Sequence, residues 1–162
     1  MIDKPAGGGQ TEILPATWRD LRSLLELERL CFGRDAWPWV DVLASLSFPE
    51  TVRFKAVREE KAVGFVIGDL RRPENLGWIA SIAVHPAHRR QGLARLLLAR
   101  CEEALGVRYV RLTLRPSNTS AYRLYLTCGY RETDRLERYY RDGEGAIVME
   151  KDREAPAPRP GA

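Results

Sequence analysis

Histidine and cysteine are scarce in this chain. Two histidines, His85 and His88, and three cysteines, Cys31, Cys101 and Cys128, stand among 162 residues. So few ligand-type side chains, and no cluster of cysteines, exclude a metal centre as the expected chemistry. Three scattered cysteines make no disulfide framework either, and each lies among apolar residues at helical spacing, where a free thiol packs as a small hydrophobe. Long apolar runs are missing as well. None approaches the roughly 20 residues that cross a bilayer, so no membrane partner is expected. The opening MIDKPAGGGQ lacks the apolar stretch of a signal peptide, which gives a cytoplasmic reading. Nor is there an excess of one sign of charge: 26 basic and 22 acidic residues leave +4. That surplus is too small to imply nucleic acid, yet it suits an anionic ligand.

Hydrophobic residues, 44% of the chain, are enough for one buried core and suggest no second domain. The glycines at 7–9 and the closing EAPAPRPGA have no apolar periodicity. They predict mobile tails at 1–10 and 152–162 around a domain at 11–151. Within it, Thr17 and Asp20 start a helix whose face carries Leu21, Leu24, Leu25, Leu27 and Leu30, and Pro38 opens a second helix over 39–46. VRFKAVR and VGFVIGDL alternate as a hairpin, and GWIASIAV is a third strand. Then come a helix over 92–105, the strand RYVRLTLR, a helix over 119–128, and a final pair, YRETDRL and AIVMEK. The order, a strand, two helices, a three-strand meander, then helix, strand, helix and two strands, predicts an α/β fold: a mixed central sheet with helices on both faces.

The stretch IAVHPAHRRQGLARLLLARCEEA carries the most chemistry. A strand breaks at Pro86, passes through arginines to Gly92 and becomes a helix. A helix mouth offers free N–H groups and the positive end of the macrodipole, which suits a phosphate. Gly92 lets the main chain approach such an anion, Ala94 is nearly as small, and Arg89, Arg90 and Arg95 can add charge-assisted hydrogen bonds. A solvated basic loop capping an amphipathic helix is the plainer reading of the same residues.

RRQGLA resembles the Arg/Gln-x-x-Gly-x-Gly/Ala loop of the GNAT acetyltransferase superfamily, and RPSNTSAYRLYLTCGY resembles its Asn-x-x-Ala-x-x-x-Tyr-x-x-x-Gly-Phe/Tyr segment. The likeness spans roughly residues 11–151. Within the superfamily, RYYRDGEGAIVMEK and AWPW are similar to segments of the RimI-like (ribosomal-protein-alanine) and related N-terminal amino-acid acetyltransferases. The resemblance implies acetyl-CoA as cosubstrate with no metal. Its pantetheine arm would lie along Ile82, Ala83 and Val84. Its pyrophosphate would sit on Arg90, Gln91, Gly92, Leu93, Ala94 and Arg95, with Arg89 beside them. Asn118 matches a cofactor-binding asparagine, although a helix N-cap explains the same residue. Tyr125 matches the tyrosine that binds the cofactor and protonates the departing thiolate; by spacing alone it is a core aromatic. Tyr139 and Tyr140 would face Trp37 and Trp39 across a peptide groove, unless the four simply close the edge of the core.

The resemblance fails at two positions. Gly145 stands where the family has an acid, and LTLR replaces Leu-Glu-Val-Arg, so Thr113 takes the place of the glutamate base. Asp35 is the first substitute base, with Glu28 and a water chain as others. An α-amine near pKa 7.7–8.0 gives up less than about 1 kcal/mol to deprotonation at pH 7.4, a lysine roughly 4, so a weak base suits an N-terminus. The leading function is therefore N-acetylation of a peptide or protein N-terminus, a ribosomal protein among the candidates, by a monomer or weak homodimer without direct nucleic-acid contact. Acetylation of a small-molecule amine and a non-catalytic acyl-CoA-binding regulator are the alternatives.

Overall fold

The computed structural model describes residues 10–154. The tails expected at 1–10 and 152–162 fall outside that span except at Gln10 and residues 152–154. Asp152 ends a strand and pairs with Arg108 at 2.9 Å, so it belongs to the domain rather than to a tail.

β1 (Glu12–Pro15) leads to α1 (Leu21–Phe32) and α2 (Trp39–Ser47). β2 (Thr51–Arg58), β3 (Lys61–Arg71) and β4 (Leu76–Val84) form the meander. α3 (Leu93–Leu105), β5 (Tyr109–Leu114), α4 (Thr119–Thr127), β6 (Arg131–Leu136) and β7 (Ala146–Asp152) complete the expected order. The strands make one sheet, β1-β2-β3-β4-β5-β7-β6, antiparallel except where β4 meets β5. Helices cover both faces. α3 seats Leu97, Leu98 and Cys101 against Val66, Leu112 and Met149, whereas α1 and α2 bring Leu24, Leu27, Val42 and Leu46 onto Phe65, Ile67 and Ala83. Leu30, expected on the apolar face of α1, is exposed. The 3.6-residue stripe from Leu24 runs instead through Glu28, which is buried.

One irregularity shapes the centre. Gly68 of β3 faces Ile79 and Ile67 faces Ser81, which leaves Ala80 as the extra residue of a bulge in β4. A bulge bends its strand and sharpens the twist. At the same place β4 parts from β5: the last shared rung is Ile79 with Leu112. Beyond it, β4 keeps only β3 as a neighbour, and Thr113 and Leu114 pair only with β7. The parallel strands therefore open as a V. Gly68 admits α3 at this bend, because a Cβ there would stand 2.7 Å from Cys101 Sγ and 3.2 Å from Leu105 Cδ1. Gly68→Ala is expected to cost about 1–3 kcal/mol through overpacking. Thermal unfolding should show it as a fall of several degrees in Tm.

Candidate active site

One arm of the V ends on the basic loop. Arg90 (φ 64) and Gly92 (φ 78) are both left-handed, and Gly92 is the N-cap of α3. Left-handed residues interspersed with ordinary ones turn successive amides toward one side, a concavity suited to anions. The first-turn amides of Leu93, Ala94 and Arg95 have no carbonyl within the helix to bond and extend that row. Among the described residues, no atom beyond the adjoining residues lies within 4 Å of a Cβ built on Gly92, so the space above the loop is open. The side chains are more committed than the sequence suggests. Arg89 Nε donates to Val84 O at 3.0 Å and turns the chain at the end of β4. Arg95 Nη2 donates to Thr127 Oγ1 at 3.0 Å, which ties α3 to α4. Gln91 Oε1 accepts from Arg58 Nη1 at 2.7 Å.

Beside the V, the edge of β4 that faces β5 has no strand partner over Ile82, Ala83 and Val84. Asn118 is the N-cap of α4, its Oδ1 accepting from Ala121 N at 3.1 Å. The cap uses the carbonyl oxygen and leaves the side-chain NH₂ free to donate. Two turns along α4, Tyr125 is 7% exposed and its ring packs at 5.8 Å from that of Tyr130. Burial, with smaller contributions from Cys128 and Tyr140, raises its pKa well above the ordinary phenol value. Its hydroxyl bonds to no group among the described residues and is not sealed from solvent. A neutral phenol with an unused proton thus stands on the last turn of α4.

Arg115, at the end of β5, organises the other face. Its Nε and Nη2 hold both oxygens of Asp35 at 2.8 and 2.9 Å. Its Nη1 reaches Asp142 at 2.9 Å and Glu144 at 2.6 Å, and the guanidinium lies 3.9 Å from the Tyr140 ring centroid. Hydrogen bonds from Ser117, then Arg115, hold the Glu144 carboxyl below its usual value. Burial, then Tyr139, pushes the Tyr140 phenol up to about 12. One arginine thereby joins the loop between α1 and α2 to the β6–β7 hairpin, the two expected walls of the groove. Asp35, the first expected substitute base, lies in this network. Both its oxygens are engaged by a bidentate guanidinium, which ties the two walls together. Of the four aromatics, Trp37 packs against the α1–α2 core and Tyr140 lies half-buried under Arg115. Trp39 and Tyr139 are the exposed pair.

Sequence reasoning did not find Arg115 or Ser81, and it ranked Glu28 below Asp35. Glu28 Oε1 accepts from Ser81 Oγ at 2.6 Å and Oε2 from Trp37 N at 3.2 Å. The available signal was a glutamate at i+4 from Leu24 and i−3 from Cys31, on the buried stripe of α1.

The fold has known counterparts. The solved ribosomal-protein-S18-alanine N-acetyltransferase of Escherichia coli superposes with a TM-score of 0.81 at 26% identity, over 94% of this chain and 99% of that one. In sequence, the [ribosomal protein bS18]-alanine N-acetyltransferase of Escherichia coli K12 is 34% identical over 121 residues, 70% of this chain and 80% of that protein. The N-terminal acetyltransferase A complex catalytic subunit NAA10 of Arabidopsis thaliana is 32% identical over 143 residues, 84% of this chain and 74% of that protein. The acetyltransferase (GNAT) family matches residues 18–130, the run from the approach to α1 through the close of α4 that builds both arms of the V, and the chain belongs to that family.

Proposed function

We propose that this chain is an acetyl-CoA-dependent N-acetyltransferase whose acceptor is the N-terminal α-amine of a protein or peptide, a ribosomal protein among the candidates. The observation that carries the proposal is the parting of β4 from β5 at Ile79 and Leu112, with a loop of left-handed Arg90 and Gly92 leading from β4 into α3, a geometry that supports an anion site there. Acetyl-CoA would supply an already activated thioester, so no covalent enzyme intermediate is needed and Cys128 has no nucleophilic part. The residues fit that cosubstrate. The loop over 90–95 offers backbone amides to a pyrophosphate, and the edge at Ile82, Ala83 and Val84, which has no strand partner although Val84 O accepts from Arg89 Nε, offers strand-like hydrogen bonds to the pantetheine amides. The free side-chain NH₂ of Asn118 adds a donor. Tyr125 holds a proton for the leaving sulfur, and Trp39, Tyr139 and Tyr140 line the path of the peptide.

Arg115 positions that path. Arg115→Gln removes the cation that holds three carboxylates together, so the walls should part. The expected result is a rise of roughly tenfold or more in peptide KM, the scale of one charge-assisted hydrogen bond, with acetyl-CoA affinity unchanged. Steady-state kinetics varying each substrate separately checks the split. Thiol release from acetyl-CoA, with a panel of peptides and small amines, tests the function itself. Peptide turnover is expected. Turnover of small amines alone, or tight binding with no turnover, would replace the proposal with the small-molecule or the regulatory reading.

A further inference from the structure

We infer that the Glu28–Ser81 pair accepts the proton of the substrate amine, in place of the base that β5 lacks at Thr113. The inference rests on the acetyltransferase reading above.

Glu28 is 1% exposed. Burying a carboxylate is costly, and tying α1 to β4 and to the start of α2 could be done by an uncharged glutamine. The carboxylate therefore calls for a reason beyond architecture, and its position supplies one. The β4 bulge turns Ala80 and Ser81 away from the α3 side, toward α1. Ser81 thus presents its hydroxyl to Glu28 just past the rung where β4 leaves β5. Thr113 is the β5 residue next to that rung, and it alternates with Leu112 and Leu114, which pack in the α3 core, so it lies on the same side as Ser81. A carboxylate from β5 and one from α1 would approach the same opening from two directions, and this chain has only the second.

The surroundings leave Glu28 free to titrate. α1 contributes Cys31, whose thiol senses the carboxylate, and Arg89, beyond the end of β4, acts on Cys31. β4 contributes Ser81, and the approach to α2 contributes the Trp37 amide. α2 and β3 contribute apolar Val42, Leu46, Phe65 and Ile67 to the core on this face. No basic side chain forms an ion pair with Glu28 among the described residues. Burial consequently raises its pKa, against the lowering effect of the Ser81 and Trp37 hydrogen bonds.

The protons balance without another reactant. The substrate ammonium gives a proton to Ser81 Oγ as the Ser81 hydroxyl proton passes to Glu28 Oε1. The neutral nitrogen then bonds to the acetyl carbon, the carbon–sulfur bond breaks, and the sulfur takes the Tyr125 proton. The proton remaining on nitrogen returns Tyr125 to the phenol, and Glu28 releases its own to solvent.

The test is the pH dependence of kcat/KM for a peptide at saturating acetyl-CoA. With the pair in place the enzyme uses the ammonium form, so the native profile should stay nearly flat from pH 8 down to the Glu28 pKa. Glu28→Gln keeps a bond to Trp37 N through its oxygen and one to Ser81 through its nitrogen, so the fold should survive. It can use only neutral amine, and its rate should drop about tenfold per pH unit below pH 8, to roughly 50–100-fold under native at pH 6. Ser81→Ala breaks the relay without touching Trp37 and should move the profile the same way. Melting temperature and acetyl-CoA affinity separate this from a structural effect, which would lower both without changing the shape. Peptide turnover with native-shaped profiles in both variants overturns this inference and leaves the function standing. A native profile that already follows the neutral amine does the same. No peptide turnover by the native chain overturns the function and the inference together.

Discussion

Tyr125→Phe should lower kcat by about 10²-fold or more, the usual scale for loss of a general acid, with little change in acetyl-CoA affinity or in Tm. The Tyr125 ring is buried and packs beside Tyr130, contacts that phenylalanine keeps. The hydroxyl bonds to nothing among the described residues, so its removal leaves no orphaned partner and the stability penalty is small. Its effect is therefore confined to the proton. Burial raises the Tyr125 pKa, so the phenol stays protonated through the working pH range. A high pKa also means that transfer to a thiolate is uphill unless another proton arrives in step, and the amine nitrogen supplies that proton. Single-turnover kinetics should place the whole loss in the chemical step. If kcat is retained while Tm falls, Tyr125 is a core aromatic and the acid must be sought elsewhere.

The elements were legible because period and punctuation agree. Leu24 and Leu27 on α1, the alternation in β2 and β3, and the left-handed Gly106 that ends α3 all act locally, and the order of elements along the chain followed from such signals. The basic loop was legible for the same reason: a glycine and arginines at a helix mouth limit what the backbone can do. What stayed hidden depends on contacts distant in sequence. Arg115 meets Asp35 across 80 positions and Glu144 across 29, and no local pattern announces that the three carboxylates share one guanidinium. Asp35 looked available as a base because its partner was out of view. Glu28 ranked second because charged helix positions are usually solvated, although its spacing from Leu24 put it on the inner stripe. The β4 bulge lies beside the close approach of α3 to Gly68, a packing fact that alternating hydrophobicity does not encode. Four aromatics read as one groove divide in the structure. Trp37 belongs to the core, whereas Trp39 and Tyr139 face solvent.

Gly92→Val should weaken acetyl-CoA binding by about 100-fold or more while the protein stays folded. Two effects act together. At φ 78 a β-branched residue is strained, a cost on the order of 1–3 kcal/mol. The loop would relax it by turning its amides out of convergence. Each charge-assisted hydrogen bond then lost is worth about 1.5–3 kcal/mol, and two such losses already exceed the 2.7 kcal/mol or so that corresponds to 100-fold. Among the described residues the new Cβ meets no atom within 4 Å beyond its chain neighbours, so the fold has no clash to absorb and the added methyl groups project into the open space above the loop. Gly92→Asn separates the contributions, since asparagine tolerates the left-handed region yet still carries a Cβ. Affinity near native in the asparagine variant would assign the loss in valine to strain, whereas a comparable loss in both would assign it to the ligand's close approach. Calorimetric titration with acetyl-CoA measures each case. Native affinity in a folded Gly92→Val protein would remove the pyrophosphate from this loop, leaving the arginines around it as a solvated cap on α3.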